Sequence, residues 1–330
     1  MAADSAIVPL RILLVSDGRP GHEKQSRGLV QALGKLTPVA VAEQAIEKGL
    51  VNDIKSWLAA AWARLLPRLA AGGEPRYDLV VGAGAHTHGY IVAEGAAAGA
   101  RTVVCMAPTP IFAGLFDLCL VPEADCCTER DNFFTTVGPP NLGEDQERHD
   151  QGQGLILVGG IDEKSHRWDS AEIVAVVKEI ANSQPEIRWA IATSPRTPDA
   201  TTALLAELCA GQANCRFNPF PTPEGWLDEE YNRADQAWVT ADSISMVYEA
   251  LTAGCRVGII PVVWKNKKSK FARSAESLLA RRYVMAFAYD KEETEPLRKA
   301  FLDEAGRCAQ EILVRFWPQR LPAKERQGRR

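Results

Sequence analysis

The sequence predicts an α/β protein of two successive Rossmann-like units, each built on a parallel sheet with helices on both faces. Three observations carry this. Short runs rich in Val, Ile and Leu, apolar on both faces, recur between stretches with helical spacing. Strand after strand ends in a turn rich in glycine, serine or threonine. The pattern stops once, over the polar "GPPNLGEDQERHDQGQG" at 138–154, and then restarts. At 330 residues the chain has room for two ordinary domains.

Taken in order, "RILLVSD" (11–17) is a strand by composition, and Gln25, Leu29, Ala32 and Leu33 repeat at helical spacing over 22–34. "TPVAVAE" (37–43) is a second strand and "YDLVVGAG" (77–84) a third, followed by a small-residue helix to Gly99. "RTVVCMAP" (101–108) and "LFDLCLVP" (115–122) continue the series. After the boundary come "GLILVGGID" (154–162), a helix over 170–182, "IRWAIATS" (187–194) and a helix over 199–210. A short strand near 215–217, "QAWVTADS" (236–243), a helix over 244–253 and "CRVGIIPV" (255–262) complete the second set. A last long helix over roughly 294–316 precedes the basic tail "PQRLPAKERQGRR". The domain division is therefore 1–148, 149–300 and a terminal segment 301–330. Two open α/β units in tandem create a cleft between their strand carboxyl ends, and such crevices bind ligands.

Composition narrows the function. The 38 Lys and Arg residues against 42 Asp and Glu give a net charge of −4, which argues against a nucleic-acid partner. The amino terminus lacks a basic start, so no signal peptide is expected, and no stretch reaches the roughly 20 apolar residues of a membrane span. A soluble, cytoplasmic protein, at most attached to a membrane surface, is expected. The eight cysteines form no CxxC pair, which predicts buried free thiols in a reducing compartment and neither a zinc nor a redox site. The adjacent Cys126 and Cys127 have no histidine close in sequence.

The turns say more. Neither G-x-G-x-x-G nor G-x-x-x-x-G-K-[ST] occurs, which disfavours dinucleotide and P-loop readings; Gly82-x-Gly84 lacks the third glycine. The second unit offers "GGIDEKS" (159–165), "TSPRTP" (193–198) and "TADSISM" (240–246). Glycines such as Gly159 and Gly160 let the backbone approach a phosphate, and a helix start presents free N–H groups to it. Ser194 lies in the second of these turns, where Arg196 adds a guanidinium suited to a phosphate, and Ser243 and Ser245 open the helix that carries Glu249, suited to ribose hydroxyls. Each has a plainer reading: Asp242 or Ser243 as a helix cap, Glu249 as an exposed helical glutamate. Three such turns in one unit favour a nucleotide-diphosphate site.

In the first unit, "SDGRPGHEKQ" (16–25) puts His22 at a helix start. Histidine titrates near neutrality and suits a general base; the plainer reading is a solvent-facing first-turn residue. "GAGAHTHG" puts His86 and His88 on one face if the third strand continues, but two histidines without a third ligand, and no D-x-D pair, predict no metal. "DIKSWLAAAWARLLPRL" (53–69) lines up Ile54, Trp57, Leu58, Ala61, Trp62 and Leu65, either facing the core or docking on an anionic membrane. "WKNKKSK" (264–270) is a basic loop, either solvated or closing over phosphates.

"SDGRPGHEKQSRGL", "GAGAHTH", "TSPRTP" and "VTADSISMVYEALTAGCRVGIIP" resemble the Elongated-Mitochondria (mitochondrial fission) family and its bacterial homologues, in the same order and across both units. The resemblance implies a GT-B-type fold, with the two Rossmann-like domains facing across a cleft and the last helix returning to the first. It implies metal-independent transfer of a sugar from a nucleotide-diphosphate sugar, without a cofactor, to an envelope polysaccharide or lipid-linked acceptor. The donor would be held by Gly159, Gly160, Ser194, Arg196, Ser243, Ser245, Met246 and Glu249. His22 would be the base, with Asp17, Gly18, Arg19, Gly21, Gly82, Gly84 and His86 on the acceptor side. The sequence is also similar, more weakly, to transferases acting on lipid-linked peptidoglycan precursors, in the Gly18-to-His22 arrangement, the strand–Gly-Gly of 157–160 and Glu249; Ile161 and Asp162 depart from the serine usual after Gly-Gly. Two alternatives remain: a nucleotide-sugar epimerase of the same architecture, which needs acidic cleft residues and no acceptor, and a non-catalytic adaptor with a protein partner, as the family's fission role implies.

Overall fold

A computed structural model describes residues 8–46, 76–125, 128–288 and 299–321. The 53–69 segment, the Cys126–Cys127 pair and the tail beyond Leu321 lie outside the described residues. The chain divides into two units, one of Met1–Leu142 with Asp303–Arg330 and the other of Gly143–Leu302.

In the first unit the elements are β1 (Leu10–Ser16), α1 (Pro20–Leu36), β2 (Val39–Ala45), β3 (Leu79–Gly82), α2 (His88–Ala98), β4 (Arg101–Val104), β5 (Leu118–Pro122) and β6 (Phe133–Thr136). Alternation along β1 explains its place in the sheet. Leu10, Ile12 and Leu14 pack with Leu29 and Leu33 of α1, while Leu13 and Val15 pack on the other face with Ile91, Phe112 and Phe116. A strand buried on both faces needs neighbours on both edges, and β1 is paired in parallel with β2 and β3. The sheet is six-stranded, β2-β1-β3-β4-β5-β6, parallel throughout. Its strand order reverses between β1 and β3.

The second unit repeats the plan with β7 (Asp150–Val158), β8 (His166–Arg167), α3 (Ser170–Ser183), β9 (Arg188–Thr193), α4 (Asp199–Ala210), β10 (Cys215–Asn218) and α5 (Trp226–Arg233). It continues with β11 (Ala234–Thr240), α6 (Ile244–Thr252), β12 (Arg256–Ile260), β13 (Val263–Trp264), α7 (Lys270–Ala280) and β14 (Met285–Ala286). The order β10-β9-β7-β11-β12-β14 reverses between β7 and β11, and β13 pairs with β8 in a small antiparallel ribbon. Two glycines accommodate indole rings of neighbouring strands: a Cβ would lie 2.4 Å from Trp189 at Gly154 and 2.3 Å from Trp238 at Gly258.

The final helix, α8 (Glu304–Phe316), rejoins the first unit, where Cys308, Ile312 and Leu313 pack with Leu29 and Leu33. It begins later than the 294–316 pattern suggests. Lys299 forms an antiparallel bridge to Arg256, and Asp303 caps the helix by accepting from the Gly306 amide at 2.7 Å. α1 packs tightly enough on the chain at Asn141 that a Cβ at Gly28 would sit 2.1 Å from the Asn141 carbonyl oxygen. Because that obstacle is backbone, Gly28→Ala is expected to cost the unit about 3 kcal/mol, read as a lowered denaturation midpoint.

The described cysteines are free, and burial pushes the thiols of Cys105, Cys119 and Cys255 up to about 12. Among the described residues no helix is long and apolar enough to cross a membrane.

Candidate functional site

In the second unit β7 runs into Gly159–Gly160 and β11 into Ala241–Asp242–Ser243, so these turns meet where the strand order reverses. The Gly159 amide donates to Thr240 Oγ1 at 2.8 Å and the Gly160 amide to Asp242 Oδ2 at 3.1 Å. Close approach explains the glycine pair. A Cβ at Gly159 would lie 2.2 Å from Asp242 Oδ2 and from Ser243 Oγ, and one at Gly160 would lie 2.0 Å from the Arg196 carbonyl oxygen.

The turn after β9 supplies Ser194 and Arg196. Ser194 Oγ accepts from the Arg196 amide at 3.2 Å. The Arg196 guanidinium donates to Asp242 Oδ2 at 2.8 Å, to Ser243 Oγ at 3.3 Å and to the Gly160 carbonyl at 3.3 Å. Its side chain is 42% exposed while that of Asp242 is 1% exposed, so a buried carboxylate is matched by a cation with one open side. Asp242 Oδ1 is buried and has no hydrogen-bond partner among the described residues.

Neither plain reading of the α6 turn describes its side chains. Ser243 occupies the cap position without bonding the helix amides, its hydroxyl donating to Asp242 Oδ2 at 3.2 Å. The first amides of α6 are therefore uncapped by any side chain. Ser245 is exposed, Met246 half-buried and Glu249 buried, with the Tyr231 hydroxyl donating to Glu249 Oε2 at 3.5 Å. Burial, then the Glu249 charge, pushes the Tyr231 phenol well above its ordinary range.

His166 was not legible as a site residue. It is buried behind the glycine turn, where Nε2 faces the Gly160 carbonyl at 3.0 Å and Nδ1 faces Ser165 Oγ at 2.6 Å. A carbonyl only accepts, so the proton belongs on Nε2 and Ser165 donates to Nδ1. The rings of Trp168 and Trp264 flank it edge-on at 6.0 Å each. The ribbon holding His166 also fixes the basic loop, since the Lys265 amide donates to the Ser165 carbonyl at 2.9 Å and the Ser269 hydroxyl caps α7. Only the short separation of His166 from Gly159–Gly160 could have signalled its role.

In the first unit the corresponding reversal lies between β1 and β3, at Asp17–Arg19 and Ala83–Gly84. His22 Nδ1 lies 2.9 Å from Asp17 Oδ2, and Asp17 Oδ1 accepts from the Arg19 amide at 3.1 Å. The carboxylate is fully buried and the imidazole one-quarter exposed. A carboxylate facing Nδ1 takes its proton as a hydrogen-bond acceptor, which leaves the lone pair on Nε2. Gly84, at φ +102°, is where a Cβ would lie 2.5 Å from His22 Nδ1 and 2.7 Å from Asp17 Oδ2. Gly82 passes so close to β1 that a Cβ would lie 2.7 Å from the Val15 carbonyl, and Gly18 turns the chain at φ +70°. Gly21 faces open space, and Arg19 is exposed, its Nε 3.8 Å from Asp17.

His86 and His88 do not share a strand face. β3 ends at Gly82, and Thr87 turns the chain by donating its amide and hydroxyl to the Gly84 carbonyl at 3.0 and 2.8 Å. His86 is half-buried in that turn, whereas His88 starts α2 fully buried, edge-on to Phe112 and Phe116. Burial, then the nearby His22 and His86, pull the His88 imidazole down to about 4. The unfolded chain therefore binds the proton first as pH falls below the ordinary histidine value. Stability contributed by neutral His88 is complete above about pH 6.5 and is lost towards pH 4, by about 3 kcal/mol. Urea titrations across that window are expected to show the loss in wild type and a reduced slope in His88→Phe.

The sequence model of the mitochondrial fission ELM1 family matches residues 20–316. No curated protein matches the chain in sequence. Similar solved structures include the UDP-GlcNAc 2-epimerase of Methanocaldococcus jannaschii, 15% identical with a TM-score of 0.54 over 94% of this chain and 100% of that one. S. aureus MnaA, solved with UDP, is 11% identical with a TM-score of 0.53 over 94% of this chain and 98% of that one. At these identities the likeness is one of fold: two Rossmann-like units with parallel sheets, of GT-B type.

Proposed function

This chain belongs to the mitochondrial fission ELM1 family, and we propose that it is a glycosyltransferase that takes a sugar from a nucleotide-diphosphate donor. The Asp17–His22 pair is the observation that carries the reading. A buried carboxylate that fixes the imidazole tautomer, with Nε2 free, is the arrangement a general base requires. His22 Nε2 takes the proton of an acceptor hydroxyl as its oxygen attacks the anomeric carbon, and Asp17 stabilises the resulting imidazolium. The leaving diphosphate is stabilised by the uncapped start of α6 and by the open side of Arg196, without a divalent metal or cofactor. Gly159, Gly160, Ser194, Ser243, Ser245 and Met246 surround the donor, and Glu249 receives the ribose hydroxyls. Gly18, Arg19, Gly21, Gly82, Gly84 and His86 are assigned to the acceptor side. That S. aureus MnaA was solved with UDP makes uridine diphosphate sugars the first donors to test. A lipid-linked or envelope saccharide, met at the cytoplasmic face of a membrane, is the acceptor class that the family resemblance implies.

The test is a donor panel incubated with and without a membrane saccharide extract, with released nucleoside diphosphate and sugar products read by mass spectrometry. Release that depends on the extract is expected. Conversion of the donor without any acceptor would replace the transferase by an epimerase.

A further inference from the structure

The amino-terminal edge of the second sheet holds a pocket of about 240 Å³, at the opposite end of the strands from the glycine turns. β7, β9 and β10 begin here, and Gln153, Arg188, Ala190, Asn214, Arg216 and Arg233 line it. The strand register puts Gln153 opposite Arg188 and Ala190 opposite Arg216, so alternation turns these side chains to one face. Arg233 arrives from the end of α5.

Three guanidinium groups on one concavity need matching anions, and the described residues supply too few. Arg216 is paired with Glu230 at 2.5 Å. Arg188 reaches only an amide: with the Gln153 side chain in the orientation that satisfies both groups, its Oε1 accepts from Arg188 Nε at 2.9 Å. Neither Arg188 nor Arg233 forms an ion pair among the described residues. Asp150 also lies within their field, held below its ordinary range first by the Gly152 amide, with Arg188 and Arg233 lowering it further. One oxygen of Asp150 is already taken by that amide at 2.8 Å.

We propose that this pocket is a second ligand site, separate from the donor turns, that takes a small molecule bearing an oxyanion, a phosphate ester or a polycarboxylate. The planar forks of Arg188 and Arg233 suit such groups, and Gln153 holds the first of them in place. The ligand enters from solvent, since all three arginines are exposed.

The test is calorimetric titration of the full chain with pyrophosphate and, separately, citrate, at constant ionic strength. Wild type is expected to bind at least one of the two saturably. Arg188→Ala/Arg233→Ala is expected to weaken that binding at least about tenfold, and Arg233→Glu alone to do likewise. Repeating the comparison in an Arg196→Ala background removes the phosphate contact of the donor turns, and the pocket variants are expected to weaken the remaining binding by the same factor. Preference for pyrophosphate would assign a phosphate ester, and preference for citrate a polycarboxylate. Titration curves for both arginine variants that superimpose on wild type, or no saturable binding of either probe, would overturn the proposal.

Discussion

Alanine in place of Gly160 is expected to reduce nucleotide affinity at least about 100-fold, about 3 kcal/mol of binding free energy. The new Cβ would sit 2.0 Å from the Arg196 carbonyl oxygen and 2.1 Å from its carbonyl carbon. Both are backbone atoms, so no side-chain rotation relieves the clash and the turn after β9 must retreat. Retreat parts Arg196 from Asp242, leaving a buried carboxylate whose other oxygen already lacks a partner. The same move disturbs the Gly160 carbonyl that receives His166 Nε2. Gly21→Ala is the control: it lies in the first turn of α1 and faces open space, and should leave affinity unchanged. Calorimetric titration of both variants with the best donor separates close approach from a general intolerance of glycine substitution.

Asp17→Asn is expected to cut transfer by about 10²–10⁴-fold while donor affinity stays within about threefold of wild type. Asparagine keeps the size of the side chain but presents an amide that can donate to Nδ1, which would move the ring proton to Nε2 and block base catalysis. His22→Ala should match it, and the double variant should lose little more, because the pair acts as a unit. Single-turnover rates with donor saturating, together with the donor dissociation constant, check this. Equal loss of transfer and donor affinity would remove His22 and Asp17 from the base role and make them part of the donor site.

The two sheets were legible because parallel strands buried on both faces read as continuous apolar runs; "RILLVSD" and "GLILVGGID" contain most of β1 and much of β7. β6, β8, β13 and β14 were not anticipated. Residues such as His166–Arg167 and Val263–Trp264 make strands too short for any period, and their pairing is set by the tertiary fold. The glycine turns could be read because a missing side chain beside a strand end has few meanings. What each turn bonds could not. Arg196 points in sequence to a phosphate, yet one side of its guanidinium serves Asp242, whose plain reading in sequence is a helix cap. His88 looked like the partner of His86, but Thr87 turns the chain between them and sends His88 into the core. Bonds between residues far apart in the chain, such as Arg196 to Asp242 or Tyr231 to Glu249, leave no local pattern.

The central claim is that the second unit binds a nucleotide-diphosphate sugar at the turns of Gly159–Gly160, Ser194–Arg196 and Asp242–Ser243. Calorimetric titration of the full chain with UDP, UDP-N-acetylglucosamine and the corresponding guanosine and adenosine diphosphate compounds tests it most directly. Saturable one-to-one binding of at least one of them, lost in Gly160→Ala and retained in His22→Ala, is the predicted result. Absence of binding by every compound, in a protein whose melting transition is intact, would contradict the claim and leave the fold as the scaffold of an adaptor.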